Sequence, residues 1–487
     1  MDYTYVKEIK EANAEALIFC LYNTKENQQP VFPSWVDASS PQFKDFFANL
    51  GQMVELQNIE VEGKKFSKII LLGLGQKEKL NQLNFSSAYA SAFNSLKHDF
   101  YSDIAIFFDI KEFAKVLSAH IYLADYSFDK YKEKKGPEPK VKKIYFICKE
   151  NVEQELSVGK IFAQATNYAR SIQNEPPNIA TTSFIVKEAK KLSKENGFEC
   201  LVLSKEDLKK KNMNGILAVG SGSVNPPYLV ALIYKGDKNK KSFDLGVVGK
   251  GIVFDSGGLS LKPSEYMEEM KFDKSGACAV LGIFHGLGKL KPKKNIVGIL
   301  ALAENLPSSS SYRPGDIIKA YNNKTIEVLN TDAEGRIVLA DALAYCVKEF
   351  EPNYLIDLAT LTGACVVALG DLAAGLMCAD EEFSKKLLQT GQETNERLWP
   401  LPVWEEYDEK VKSQVADVKN VGERGNAGAI AGYSFLKIFV DSKNKKLSWA
   451  HIDIAGTAWA EKPKFGLVSG GLGFGVRLVL EYIYSKF

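Results

Sequence analysis

The chain has 487 residues, about three times the usual length of one domain, and its 45% hydrophobic and 25% charged content is that of an ordinary soluble protein. Sixty-two Lys and Arg against 60 Asp and Glu leave a net charge of +2, and residues 1–150 balance at 20 lysines against 20 acids. Large basic surfaces for nucleic acid or an anionic membrane are not indicated, and two domains are expected.

Taken in chain order, residues 1–150 alternate strand-like runs at 16–22, 68–72 and 103–108 with a helical stretch at 86–96. This alternation predicts a small N-terminal α/β domain. A regulatory or oligomerisation role is expected of it, though not from the pattern. The Ile69–Gly75 segment (IILLGLG) looks like the start of a dinucleotide fingerprint but lacks the third glycine, so a tight turn is expected. Residues 130–143 hold seven lysines, two glutamates, two prolines and Gly136, and are expected to form a solvated loop. A strand at 143–148 follows, then a helical linker across 151–175. In the remainder, 176–487, strands at 245–248, 295–303 and 354–358 alternate with helices at 275–288 and 335–350. That pattern predicts a larger α/β domain with a mainly parallel central sheet flanked by helices, its functional loops at the carboxyl ends of the strands. The most apolar stretch, 354–379, is broken by Asp357 and Asp371 and reads as buried core rather than a membrane span. With no basic, apolar leader at the N-terminus, the expectation is a cytoplasmic protein.

Scarce residue types narrow the chemistry. The four histidines (His98, His120, His285, His451) are spaced too far apart for a paired-His motif, which argues against an imidazole-built zinc site. Only six arginines stand beside 56 lysines, so each Arg is a candidate for forked recognition of a planar anion. The seven cysteines are scattered without a CxxC and read as small buried residues in a reducing compartment. Gly246–Gly251 has the wrong glycine-to-lysine spacing for a phosphate loop.

Four acids sit where no structural need for an acid is evident: Asp255 before Ser256-Gly257-Gly258, Asp273 ahead of a small-residue helix start, and Asp332 and Glu334 at a strand-to-helix junction. In an extended segment, residues two apart point the same way, so Asp332 and Glu334 can converge; on a helix they would diverge by about 200°. Carboxylates gathered in a cleft raise one another's pKa, and two divalent cations would neutralise them. Oxygen-rich ligation suits Mn2+, Zn2+ or Mg2+, two such ions lying roughly 3.5–4 Å apart. Lys250 and Lys262, in what read as apolar loops, add to the constellation, because a buried lysine needs a partner or a shifted pKa.

Three segments, VGKGIVFDSGGLSLKP (Val248–Pro263), MKFDKSGA (Met270–Ala277) and NTDAEGRIVLADAL (Asn330–Leu343), resemble the signatures of the leucyl aminopeptidases, the two-metal cytosolic aminopeptidase family. The resemblance continues through NEPPN (Asn174–Asn178), AVGSGSVNPPYLV (Ala218–Val230), RPGD (Arg313–Asp316), DLATLTGA (Asp357–Ala364), AGLM (Ala374–Met377) and HIDIAGTAW (His451–Trp459), and is loose in the N-terminal part. Carried over by position, it implies that Lys250, Asp255, Asp273 and Glu334 bind one metal and Asp255, Asp332 and Glu334 the other. It makes Lys262 the partner of the scissile carbonyl and Arg336 the holder of a bicarbonate acting as general base. It further implies that Met270, Thr360, Gly363 and Ala455 line an apolar pocket for the first side chain, with the backbones of Leu361 and Gly363 holding substrate. The implied activity is release of N-terminal residues, preferentially leucine or other apolar ones, from peptides with a free N-terminus, by attack of a metal-activated water in intracellular peptide turnover. A homohexamer is also implied. The chain departs from the family pattern at Lys274, where Met is usual, at Ser469–Gly473 and at Ala458, which puts substrate preference in question. A two-metal phosphoesterase would call for His or Asn ligands and more cationic phosphate contacts; a nucleic-acid-binding protein would call for a basic face.

Overall fold

A computed structural model describes residues 1–25, 28–133, 140–423, 425–440 and 447–487. Residues 134–139 of the lysine-rich stretch expected to be a solvated loop lie outside this description. The chain divides into two compact units, Met1–Gln164 with Lys462–Ser469, and Ala165–Glu461 with Gly470–Phe487.

The first unit contains β1 (Asp2–Val6), β2 (Ala16–Leu21), β3 (Met53–Val61), β4 (Lys64–Gly73), α1 (Gln82–His98), β5 (Asp103–Phe107), α2 (Ala114–Ala124) and β6 (Lys143–Ile147). Its six strands run in the order β1-β6-β5-β2-β4-β3, parallel throughout except for the β3/β4 hairpin. Glu62 and Gly63 at that hairpin both have positive φ (51° and 77°), the backbone sense that matches the twist of the flanking strands. Ile69, Ile70, Leu71 and Leu72 are all fully buried because both faces of β4 are covered, which is why this strand reads as a continuous apolar run. Gly73 and Gly75 serve a tight turn. A Cβ on Gly73 would lie 2.4 Å from the carbonyl oxygen of Asn49, and Gly75 has φ +73°.

Helix α3 (Glu153–Gln173) carries the chain into the second unit. There α4 (Thr182–Asn196), β7 (Glu199–Leu203), β8 (Tyr228–Lys235), β9 (Leu245–Asp255), α5 (Ser275–Leu290), β10 (Asn295–Asn305), α6 (Glu334–Phe350), β11 (Tyr354–Ala359), α7 (Gly363–Leu369), β12 (Ala374–Cys378), β13 (Leu398–Pro400), α8 (Gly428–Val440) and β14 (Ser448–Asp453) build the main layers. The eight strands run β13-β12-β14-β11-β9-β10-β8-β7. The central four, β14, β11, β9 and β10, are parallel; β7, β8 and the β12/β14 join are antiparallel, so the sheet is mainly parallel with mixed flanks.

Glycines let one covering helix come close. A Cβ on Gly298 would fall 2.4 Å from the ring of Phe284 in α5, and one on Gly249 would fall 2.4 Å from the carbonyl oxygen of Gly276. On the other face, Val248, Ile252, Val297 and Ile299 share a core with Ile337, Val338 and Leu339 of α6. Helices α5 and α6 therefore cover opposite faces of the parallel centre, and the start of each lies at the carboxyl end of β9, where the site forms.

Candidate metal centre

Asp255 is the last residue of β9, and Lys250 lies five residues earlier in the same strand. The expectation that Lys250 occupies a loop is thus corrected: the glycines around it are strand residues, small because α5 packs against them. Asp273 sits in a short 3-10 turn, Met270–Lys274, that leads directly into α5. Glu334 is the first residue of α6; the capping position is Ala333, so neither Asp332 nor Glu334 is spent as an N-cap.

These elements bring Asp255, Asp273 and Glu334 together, all buried, with one carboxylate oxygen from each lying within 4.8 Å of the others. Lys250 Nζ lies 2.8 Å from Asp273 Oδ1, 2.8 Å from Glu334 Oε1, and donates to the carbonyl oxygen of Thr360 at 2.8 Å. Lys262 Nζ reaches Asp255 Oδ2 at 3.0 Å and makes a close ion contact with Asp332 Oδ1 that lacks hydrogen-bond geometry. Asp255 Oδ1 is fixed by donors from Gly257 N at 2.9 Å and Asn305 Nδ2 at 2.8 Å. The glycine pair makes this turn possible: Gly257 has φ +84° and Gly258 +64°, and a Cβ on Gly257 would strike the carbonyl oxygen of Ser260 at 2.4 Å.

Two buried carboxylate oxygens, Asp273 Oδ2 and Glu334 Oε2, have no hydrogen-bond partner. Buried acceptors without donors are costly, and hard divalent cations are the ligands that such oxygens fit. Together with the amine of Lys250 the donor set suits Mn2+, Zn2+ or Mg2+, and no imidazole enters it. Electrostatics agree. Burial and the neighbouring Asp255 push Asp332 up to about 6 and Glu334 up to about 7, and burial likewise raises Asp273. Burial alone would lower Lys250, but Asp273, Glu334 and Asp255 reverse it and hold the ammonium above its ordinary value; Lys262 is held up in the same way by Asp255, Glu334 and Asp332.

Arg336, two residues beyond Glu334, is buried and its Nε has no partner. Burial pulls its guanidinium down to about 10 against the opposing pull of Glu334 and Asp453. Lys274 points away from the cluster: its fully buried Nζ donates to the carbonyl oxygens of Glu175 at 3.1 Å and Lys271 at 2.5 Å, and burial lowers it to about 8. Of the pocket residues, Thr360 is tied to the cluster through its hydroxyl, 2.6 Å from Asp273 Oδ1. Leu361 N and Ala455 N both donate to Asp453 Oδ1. Met270 opens the 3-10 turn, half-buried, and Gly363 opens α7, exposed. His451 is a core residue, its Nδ1 bonded to Asp357 Oδ1 at 2.6 Å with both side chains fully buried. Sequence reasoning missed Asn305 and Asp453. Each is a polar residue at the carboxyl end of a buried strand of the parallel centre, the position that would have pointed to them.

The catalytic-domain model of the cytosol aminopeptidase family matches residues 167–480, and the model of that family's N-terminal domain matches residues 41–135. The chain belongs to the cytosol aminopeptidase family. Curated relatives named "Probable cytosol aminopeptidase" include one from Aquifex aeolicus, 42% identical over 440 residues (89% of this chain, 88% of that protein), and one from Persephonella marina, 43% identical over 436 residues (87% and 86%). Among solved structures, the bottromycin maturation enzyme BotP in complex with Mn superposes with TM-score 0.85 at 28% identity, covering 97% of this chain and 99% of that one. This cytosol aminopeptidase family member is accordingly a metal-dependent aminopeptidase, a hydrolase of peptide bonds that takes divalent metal ions. No helix among the described residues is long and apolar enough to cross a membrane.

Proposed function

We propose that this aminopeptidase holds two divalent metals, one on Lys250, Asp255, Asp273 and Glu334 and the other on Asp255, Asp332 and Glu334. It releases N-terminal residues, leucine and other apolar ones preferentially, from peptides with a free N-terminus. The observation that carries the reading is the buried convergence of Asp255, Asp273 and Glu334 with two carboxylate oxygens lacking any donor. Bound divalent cations supply Lewis acidity at the peptide carbonyl and a water made acidic near neutral pH. Mn2+ and Zn2+ are the first candidates and Mg2+ the next, from the oxygen-rich donor set; the Mn-bound structural neighbour supports Mn2+.

The chain's own groups divide the remaining work. Lys262 approaches from the turn after β9, its side chain 15% exposed, so its charged ammonium can reach a substrate carbonyl and stabilise the negative charge that develops there. Arg336 presents a planar fork with an unpaired Nε in a buried setting, suited to bidentate binding of bicarbonate, which would take a proton and return it to the leaving amine. Met270, Thr360, Gly363 and Ala455 form the walls for the first side chain, and the backbones of Leu361 and Gly363 hold the peptide. In this reading residues 176–487 carry catalysis, 151–175 link, and 1–150 serve regulation or assembly. The enzyme works as a cytoplasmic homohexamer in peptide turnover.

The test is turnover of leucine p-nitroanilide and p-nitrophenyl phosphate with and without Mn2+, in the parent, Asp332→Asn and Lys262→Ala. Mn2+-dependent anilide cleavage lost in both variants supports the reading. Anilide turnover that is absent in the parent or undiminished in both variants, or preference for the phosphate ester, refutes it.

A further inference from the structure

We infer that Asp453 is a positioning residue that sets the shape of the pocket for the substrate's first side chain. The inference rests on the pocket assignment proposed above. Asp453 ends β14 and is fully buried. Strands β11 and β14 pair in parallel with Ala359 opposite Asp453, and the main-chain ladder closes with Ile454 N donating to the carbonyl oxygen of Ala359 at 2.8 Å. Beyond that point the strand pairing ends, and the Asp453 carboxylate takes over the coupling. Its Oδ1 accepts from Leu361 N and from Ala455 N, each at 3.1 Å, and its Oδ2 accepts from the hydroxyl of Thr362 at 2.7 Å. Thr362 Oγ1 in turn accepts from Cys365 N at 3.1 Å, capping α7.

The turn after β11 is therefore strung between two anchors. Thr360 is held to Asp273 and Lys250 at one end, and Leu361 and Thr362 to Asp453 at the other. Ala455, on the opposite wall, hangs from the same carboxylate. The separation of the two pocket walls is thus fixed by one side chain that touches no substrate. Its geometry and its charge can be separated. An Asn amide can keep both backbone donors on its oxygen and donate its NH2 to Thr362, so Asp453→Asn preserves the arrangement and removes the charge that acts on Arg336. Asp453→Glu keeps the charge and moves the acceptor, and Asp453→Ala removes both.

The experiment compares kcat/KM for leucine and alanine p-nitroanilides in the Mn2+-loaded parent and the three variants. Lost folding or lost active fraction scales both substrates alike, whereas a reshaped pocket changes their ratio. We expect the leucine-to-alanine ratio to fall about tenfold in Asp453→Ala and Asp453→Glu, a change of the size pocket contacts command, and to stay within about twofold of the parent in Asp453→Asn. A ratio unchanged in whichever of Asp453→Ala and Asp453→Glu is folded, or shifted as much in Asp453→Asn, overturns the inference. Ala455→Val, which fills the wall directly, reads the pocket assignment itself. If it leaves the ratio unchanged, that assignment fails, independently of Asp453.

Discussion

Gly335, the second residue of α6, offers the sharpest test of the packing around the cluster. Its backbone is helical, so substitution by Ala would ordinarily stabilise by about 1 kcal/mol. Here a Cβ would lie 2.6 Å from Lys250 Nζ, 2.7 Å from Cε and 2.9 Å from Cδ. Ordinary contact begins at 3.4 Å, so the end of Lys250 must retreat by about 0.8 Å. A surface lysine would do so freely, but Lys250 is 3% exposed and held at 2.8 Å by Asp273, Glu334 and the carbonyl oxygen of Thr360. Disrupting a buried ion pair costs about 3–5 kcal/mol, so with the helix gain subtracted Gly335→Ala should destabilise the metal-free protein by about 2–4 kcal/mol. Because Lys250 is also a proposed metal ligand, displacement approaching 1 Å should weaken Mn2+ binding and lower kcat about 10²-fold. Urea unfolding of the metal-free protein and calorimetric Mn2+ titration measure the two effects. A variant as stable as the parent or more so, with unchanged Mn2+ affinity, would refute the claim that Lys250 is pinned against the first turn of α6.

Three further outcomes follow from the same geometry. Lys262→Ala should lower kcat/KM by about 10²–10³, the usual worth of one donor at a developing oxyanion, while Mn2+ affinity measured by titration is retained or tightened, since the ammonium competes for Asp255 and Asp332. Mn2+ must displace the proton of Lys250 at every pH from about 5 to 8 and, with Asp332 raised to about 6 and Glu334 to about 7, further protons below neutrality. Apparent affinity should fall as pH drops through 7 and 6, with proton release visible as buffer-dependent binding heats; affinity flat from pH about 5 to 8 would contradict it. Lys274→Met should be neutral to about 2 kcal/mol stabilising at pH 7, because it removes a buried charge held by two carbonyl oxygens. Burial depresses this lysine to about 8, so the unfolded chain binds the extra proton between about 8 and its ordinary 10.5, and the parent gains stability as pH rises through that window; the variant, followed by urea unfolding across it, should lose that slope.

The cluster was legible because its acids break local patterns: Asp255 ends an apolar strand before two glycines, and Asp332 and Glu334 flank one alanine at a helix start where neither caps. Strand existence was equally legible, since β9, β10 and β11 are buried on both faces and read as largely apolar runs, interrupted only by Lys250 in β9, by Asp357 in β11 and at the ends. Direction was not, because an apolar run looks the same parallel or antiparallel; the antiparallel β7 and β8 appear only in the pairing. Lys250 was misplaced into a loop for a related reason. Its flanking glycines carry no sign of whether they serve a turn or the close approach of a helix, and that distinction is set by α5 across the sheet. Asn305 and Asp453 act by anchoring other groups: Asn305 donates its side-chain amide to Asp255 Oδ1 and to the carbonyl oxygen of Thr331, and Asp453 accepts from the backbone amides of Leu361 and Ala455, which every residue type offers.

The arrangement of charge explains why both lysines belong in the site. Lys250 bridges Asp273 and Glu334, and Lys262 bridges Asp255 and Asp332, so each ammonium offsets one of the two charges of its pair, and the four carboxylates when ionised keep a net deficit of two positive charges. Burial first, and then the uncompensated charge of Asp255 and its neighbours, raises Asp332 and Glu334. On the proposed reading the two lysines then part ways. Lys250, fully enclosed at the foot of α6, can remain among the acids only by giving up its proton and acting as an amine ligand. Lys262, on a turn and partly exposed, would not be needed by Asp255 and Asp332 if cations neutralised them, and its ammonium would then be free to serve the carbonyl oxygen that gains charge. On that reading the same charge that steadies the acids in the protein alone would become the oxyanion partner in turnover, which is why Lys262→Ala should separate metal affinity from kcat while Gly335→Ala, acting on Lys250, should damage both.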